Sequence, residues 1–252
     1  MTNGEKPYMT YSRLGGQGDV TQNVAMVGDM AYYRDCTSGD YICDPVEPFK
    51  EIDHLEYGMM YDDTICCDDG HRDNILGPYH THVSIGIAYD NYTFVLVQNF
   101  ENIYITPQSP SDQTPIMQFA DGELTIQGKM MTAQFSPLLY HSNTITIFYD
   151  PLPTADEYEL HKMDNHYGDG KYVACVLQEL QTMYCPGVAT LTADTWGYNN
   201  TPDYDTFLIK ADLHSILDKS GVYTVVLTAE PVNAKENDAS WRVYTYSIRY
   251  EK

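Results

Sequence analysis

Gly70-His71-Arg72-Asp73-Asn74-Ile75-Leu76, then Thr81-His82-Val83-Ser84-Ile85-Gly86-Ile87-Ala88-Tyr89, then Phe94-Val95-Leu96-Val97-Gln98-Asn99-Phe100 decide how the first half of the chain is read. A polar loop delivers a histidine into a short apolar segment. Two runs of β-branched and aromatic residues follow, and a tight Asp90-Asn91-Tyr92 turn separates them. That order predicts an antiparallel hairpin of strands 83–89 and 93–100, with Ile103-Tyr104-Ile105 as an extension. The second run closes on an amide pair, Gln98-Asn99, and an aromatic.

Working outward, residues 48–61 read as a helix. Pro48 suits a first helical position, and Ile52, Leu55, Met59 and Met60 recur at intervals of three or four. Asp62-Asp63 and Asp68-Asp69-Gly70 then bracket a loop that holds Cys66 and Cys67. Upstream, Gly15-Gly16-Gln17-Gly18 reads as loop before a short ordered stretch. Downstream, Thr106-Pro107-Gln108-Ser109-Pro110-Ser111-Asp112-Gln113-Thr114-Pro115 carries three prolines among small polar residues and reads as a linker. This divides the chain into 1–106, a linker at 107–115, and 116–252. Beyond it the pattern changes to roughly seven short strands separated by turns such as Asp169-Gly170 and Ser220-Gly221, which predicts a β-sandwich of immunoglobulin-like type.

Composition limits the partners. The 252 residues include 36 acidic and 14 basic side chains, a formal charge of −22. Such a surface repels nucleic acid and anionic membranes. It suits solubility, cations or a basic partner. No run approaches the ~20 apolar residues of a membrane helix, and Met1–Lys6 lacks the apolar segment of a signal peptide. Tyrosine is common, at 23 residues, and favours half-buried strands and wet interfaces. There is no G-x-S-x-G and no G-x-G-x-x-G, so a serine nucleophile elbow and a dinucleotide loop are not expected.

Six cysteines, Cys36, Cys43, Cys66, Cys67, Cys175 and Cys185, suggest disulfides made in an oxidising compartment. Cys175 with Cys185 closes a short local span. Cys36 and Cys43 each bonding one of Cys66 and Cys67 is the expected arrangement for the rest. A zinc site built from those four is the rival, although C-x6-C and CC do not match the usual hooks. Sequons at Asn91 and Asn199 add an expectation of glycosylation.

The G-H-R-x-N-I-L run, the following V-x-I-G-I-A strand and the closing V-Q-x-F resemble the signature half of the CAP superfamily, the cysteine-rich secretory, antigen 5 and pathogenesis-related-1 proteins with their SCP-like extracellular domain. The style is that of prokaryotic, especially archaeal, secreted members. The resemblance implies an α+β chain: a CAP-like α/β/α sandwich, N-terminally incomplete because most of its first helix is absent, followed by the all-β sandwich.

It also implies a cleft around His71. In the family a second histidine and two glutamates complete a tetrad that holds a divalent metal or moves protons. Carried over residue by residue, Tyr11 falls at the first histidine, Gln22 at one glutamate and Glu56 at the other. A tyrosine and an amide can hydrogen-bond a ligand but do not supply the charge of an imidazole and a carboxylate. Further readings are open. His80 and His82 form an H-x-H at a strand start. His54 lies near Glu51 and Asp53 on the predicted helix. His161 and His166 flank Asp164. Asp62, Asp63, Asp68 and Asp69 offer hard oxygens for calcium, without an EF-hand pattern.

The expected function is that of a secreted or cell-surface protein that binds an extracellular protein, a glycan or a small apolar ligand without catalysis. The alternatives are a metal-assisted hydrolase or protease using His71 and Glu56, with zinc or calcium as cofactor, and a self-assembling subunit of an extracellular surface layer.

Overall fold

A computed structural model describes residues 4–28, 45–108, 114–131, 145–153, 168–178, 185–230 and 241–252. The side chains of Cys66, Met131 and Asn200 are outside that description. So are Cys36, Cys43, His161, Asp164, His166 and most of the proline-rich linker. The chain divides into two compact units, Val20–Glu101 and the combination of Met1–Asp19 with Asn102–Lys252.

The Val20–Glu101 unit is built on a three-stranded sheet in the order β1-β3-β2, with β1 at Asp19–Val27, β2 at His82–Tyr89 and β3 at Phe94–Asn102. Asp90 makes the hairpin turn: its Oδ1 accepts from Tyr92 N at 2.8 Å and Thr93 N at 2.9 Å, the local side-chain bonding that favours Asp in turns. Register then follows, with Tyr89 opposite Phe94, Ile87 opposite Leu96 and Ile85 opposite Gln98. Along β3 burial alternates strictly, Phe94, Leu96, Gln98 and Phe100 being buried and their neighbours half-buried, so one face meets a core.

Helix α2, Pro48–Tyr61, covers that face. Met59 is buried against Phe94 and Leu96, with Ile52, Leu55, Ala25 and Ile75 packed around them. Two short helices follow, α3 at Asp63–Cys67 and α4 at Gly70–Ile75. The other face carries Gln22, Val24 and Met26 of β1, and no described helix of this unit lies over it; Val24 and Met26 are exposed.

The expectation of a CAP α/β/α sandwich is therefore corrected. Among the described residues strand accounts for 49% and helix for 17%, arranged as three sheets with four helices. This is a β-rich chain. The physical reason lies in the helices: three of the four are seven residues or shorter. The remaining long one supplies a single layer. The N-terminal helix α1, Pro7–Arg13, which the resemblance made the tail of a first CAP helix, packs instead against the last strand of the other unit.

That other unit holds two five-stranded sheets. One runs β10-β11-β6-β4, with β5 also on β6; its strands are β4 (Ile105–Thr106), β5 (Met117–Ala120), β6 (Glu123–Met131), β10 (Thr195–Asn200) and β11 (Tyr204–Asp212). The other runs β13-β12-β7-β8-β9, from β7 (Ile145–Asp150), β8 (Lys171–Leu177), β9 (Ala189–Thr192), β12 (Gly221–Ala229) and β13 (Trp241–Tyr250). The sheets are sandwich-like, but the immunoglobulin-like expectation of about seven strands over 116–252 is replaced by nine among the described residues, and β8 pairs with β9 in parallel.

Asp121 and Gly122, with φ of 50° and 80°, turn β5 into β6, the left-handed pair that an Asp-Gly dipeptide makes easily. Ile105, read with Ile103 and Tyr104 as an extension of the first hairpin, pairs together with Thr106 to β6. A disulfide joins Cys175 to Cys185.

The N-terminal segment is tied to this unit by charge. Lys6 Nζ meets Asp150 Oδ1 at 2.7 Å, and Tyr8 OH donates to Asp150 Oδ2 at 3.0 Å. Arg242 lies between Asp169 at 2.7 Å and the buried Asp19 at 3.2 Å. Ser12 accepts from Ser247 N at 3.1 Å.

Candidate functional site

His71 sits in the first turn of α4, and Asp63 fixes it there. The Asp63 carboxylate, only 1% exposed, meets His71 Nδ1 at 2.6 Å through Oδ1. Its Oδ2 accepts from the backbone N–H groups of His71 at 2.7 Å and Arg72 at 3.2 Å. One side chain thus caps two of the open donors at the start of α4 and sets the imidazole tautomer. Burial alone would push the Asp63 pKa up. The hydrogen bonds from the His71 ring and the two amides outweigh it and hold the carboxyl below the ordinary carboxylate range. His71 keeps 22% of its side chain exposed.

Behind the histidine runs a chain of amides. Asn23 Nδ2 donates to His71 O at 3.0 Å and to Gln98 Oε1 at 3.2 Å. Gln98 Nε2 donates to Glu56 Oε1 on α2 at 2.6 Å. Asn74 Nδ2 donates to Asn23 Oδ1 at 2.9 Å, and Thr21 Oγ1 donates to Asn74 Oδ1 at 2.6 Å. These bonds stitch α2, α4, β1 and β3 together across the buried face of the sheet.

Of the sequence-predicted cleft residues, the structure brings Glu56 into this network, joined to the backbone of His71 through Gln98 and Asn23. Gln22 is turned to the opposite face of β1, where its Nε2 donates to Asn99 Oδ1 at 2.7 Å. Tyr11 belongs to α1 in the other unit. Asn23, Gln98, Asn74 and Thr21 are the participants that sequence reasoning missed. For Gln98 a signal existed: it shares its strand face with Phe94, Leu96 and Phe100, and a buried amide must be hydrogen-bonded. Asn23 had none, because β1 carries apolar residues on both faces.

The other described histidines among the sequence candidates make local bonds. His80 Nε2 donates to Asn74 O at 2.8 Å and its ring lies 4.9 Å from Phe100. His82 Nδ1 bonds Thr81 Oγ1 at 2.9 Å, and His54 Nδ1 lies 3.3 Å from Glu51. Among the acids, Asp69 accepts from Thr64 at 2.8 Å and pairs with Arg72 at 3.3 Å. Asp62 and Asp68 are exposed. Asn91 and Asn199 are exposed as well, one in the hairpin turn and one on β10.

One group with metal-ligand chemistry gathers among the described residues: Asp63, Cys67 and His71, whose donor atoms lie within 4.8 Å of one another. The donor set does not fit a divalent ion. Cys67 is disulfide-bonded, so its sulfur is not a thiolate. Asp63 spends both oxygens on α4, and His71 Nδ1 is one of the groups it holds. Asp62 and Asp68 are not among the three, so the acids expected to hold calcium do not converge.

No protein-family profile matches the chain, and no curated protein matches it.

Proposed function

We propose that the protein acts outside the cell as a binding protein that takes its partner at the surface around His71 without turning it over. The observation that carries this reading is how the polar groups behind His71 are used. The hydrolytic alternative read from the sequence would need His71 and the Glu56 carboxylate to face one substrate. Here Asp63 caps a helix and orients the imidazole, and Glu56 accepts from Gln98. What remains is an oriented histidine on a rigid, internally bonded frame, which is the shape of a recognition surface. A disulfide and the absence of any described helix long and apolar enough to cross a membrane are compatible with export.

The test is binding by the wild-type protein and His71→Ala to panels of glycans, small apolar ligands and extracellular proteins, alongside ester and peptide hydrolysis. Saturable binding to one class, weakened at least about tenfold by His71→Ala and without turnover, supports the proposal. Hydrolysis that is lost in both His71→Ala and Glu56→Gln contradicts it.

A further inference from the structure

Lys6 and Asp150 meet in an enclosed place. Lys6 Nζ lies 2.7 Å from Asp150 Oδ1, and the two side chains are 16% and 11% exposed. Both sit on fixed elements. Lys6 stands at the N-cap of α1, its carbonyl accepting from Met9 N at 3.0 Å and Thr10 N at 3.1 Å. Asp150 ends β7, opposite Val222 of β12. The second carboxylate oxygen, Oδ2, accepts from the phenol of Tyr8, a buried residue. The backbone of Gly170 closes one side: a Cβ there would stand 2.5 Å from Asp150 Oδ2. Lys6 Nζ also donates to Gly168 O at 2.8 Å, and the Tyr8 ring centre lies 5.7 Å from it. The neighbouring Arg242 is taken by Asp19 and Asp169, so Lys6 is the amine that faces Asp150.

We propose that this pair condenses to an isopeptide bond, joining Lys6 Nζ to Asp150 Cγ with loss of one water. The reaction balances without a co-reactant. A proton passes along the 2.7 Å contact from the ammonium to Oδ1, giving an amine and a carboxylic acid with no change in net charge. The nitrogen lone pair then attacks Cγ. That carbon is at most about 3.9 Å away, the contact plus one C–O bond, close to the ~3–3.5 Å of a near-attack arrangement. The C=O electron pair moves onto Oδ2, where Tyr8 OH donates to the developing oxyanion. Oδ1 leaves as water, carrying its own proton and one from the attacking nitrogen, and the carbonyl re-forms at Oδ2.

The surroundings favour the amide. Groups fixed side by side react with effective molarities of about 10⁵–10⁸ M, far above the concentration of water. Enclosure limits the water that would hydrolyse the bond. An ion pair is costly to keep out of water, and the amide carries no charge. Burial, with the Asp150 charge adding to it, pushes the Tyr8 pKa up, so the phenol keeps the proton it donates. The bond goes beyond the recognition surface at His71: it holds the N-terminal segment on β7 under reducing conditions that open disulfides.

The test is the intact mass of the full chain, with its disulfides counted, and tandem mass spectrometry of a proteolytic digest. Wild type, Lys6→Arg and Tyr8→Phe are compared after days of incubation in the folded state. Asp121-Gly122 and Asp169-Gly170 can lose water as succinimides, so each sample is also treated with mild alkali, which opens a succinimide and spares an amide. The expected result is a wild type lighter by one water, with a branched peptide joining Lys6 to Asp150 that survives reductant and alkali. Lys6→Arg keeps the ion pair and its full mass. Tyr8→Phe forms the cross-link at least about tenfold more slowly. A wild type of full mass overturns the proposal, as does a water loss that persists in Lys6→Arg or disappears in alkali. Tyr8→Phe that reacts as fast as wild type overturns the role given to the phenol. The branched peptide is read in the wild type itself, so a variant that fails to fold leaves the test standing.

Discussion

Replacing Asp63 by alanine should release α4 while leaving the other unit intact. The carboxylate caps two backbone amides and holds the His71 ring. A lost cap costs about 1 kcal/mol, a charge-assisted hydrogen bond about 1.5–3 kcal/mol, and relief from burying the carboxylate returns part of this. The net is about 2–3 kcal/mol, or roughly a 30- to 150-fold rise in the local opening constant.

The sign with pH follows from the lowered pKa. A carboxyl depressed by folding stabilises above its unfolded value and loses that contribution as pH falls through the folded value. The difference between wild type and Asp63→Ala should therefore be largest near neutrality and fade below about pH 4. Tryptophan fluorescence cannot report it, because Trp196 and Trp241 both belong to the other unit. Amide exchange can: residues 71–76 should lose protection in the variant, and β12 should not. Unchanged exchange in α4 at pH 7 would refute the assignment of Asp63 as its cap.

In the other unit, Arg242→Met strips a counter-charge from Asp19, which is buried; a loss of about 3–5 kcal/mol is expected, read from the denaturation midpoint of the tryptophan signal. Replacing Cys175 and Cys185 by serine opens a ten-residue span, and chain entropy sets the cost near 2.5–3 kcal/mol, measurable as a fall in Tm. Burial pushes the Asp205 pKa up, against a hydrogen bond from Tyr198 that pulls it down. A raised folded pKa means stability lost as pH rises through it. Asp205→Asn should therefore raise Tm at pH 7 and change it little at pH 3, and the reverse order would contradict this.

The parts of the fold that local pattern encodes were legible. Helix 48–61, the hairpin on its Asp90 turn and the Cys175–Cys185 link depend on periodicity, turn chemistry and short loop closure. The parts that depend on distant partners were not. Pro7–Arg13 says nothing of its destination, which is set by bonds from Lys6, Tyr8 and Ser12 to residues more than 140 positions away. The short or mixed β5 and β10 acquire strand character by pairing with β6 and β11.

At the site, His71 could be singled out because it stands in an unusual motif. Its partner Asp63 was hidden among four acids, and only the fold shows which one reaches back across the α3–α4 turn. On β1, one position separates Gln22 from Asn23, and strand alternation sends them to opposite faces.

The account rests on the claim that the polar groups around His71 form a rigid recognition frame and not a metal or hydrolytic centre. The most direct test is elemental analysis and calorimetry of the oxidised protein with zinc and calcium, beside His71→Ala. No stoichiometric binding of either ion in either protein is the predicted result. One ion bound per chain in the wild type and lost in His71→Ala would contradict the account.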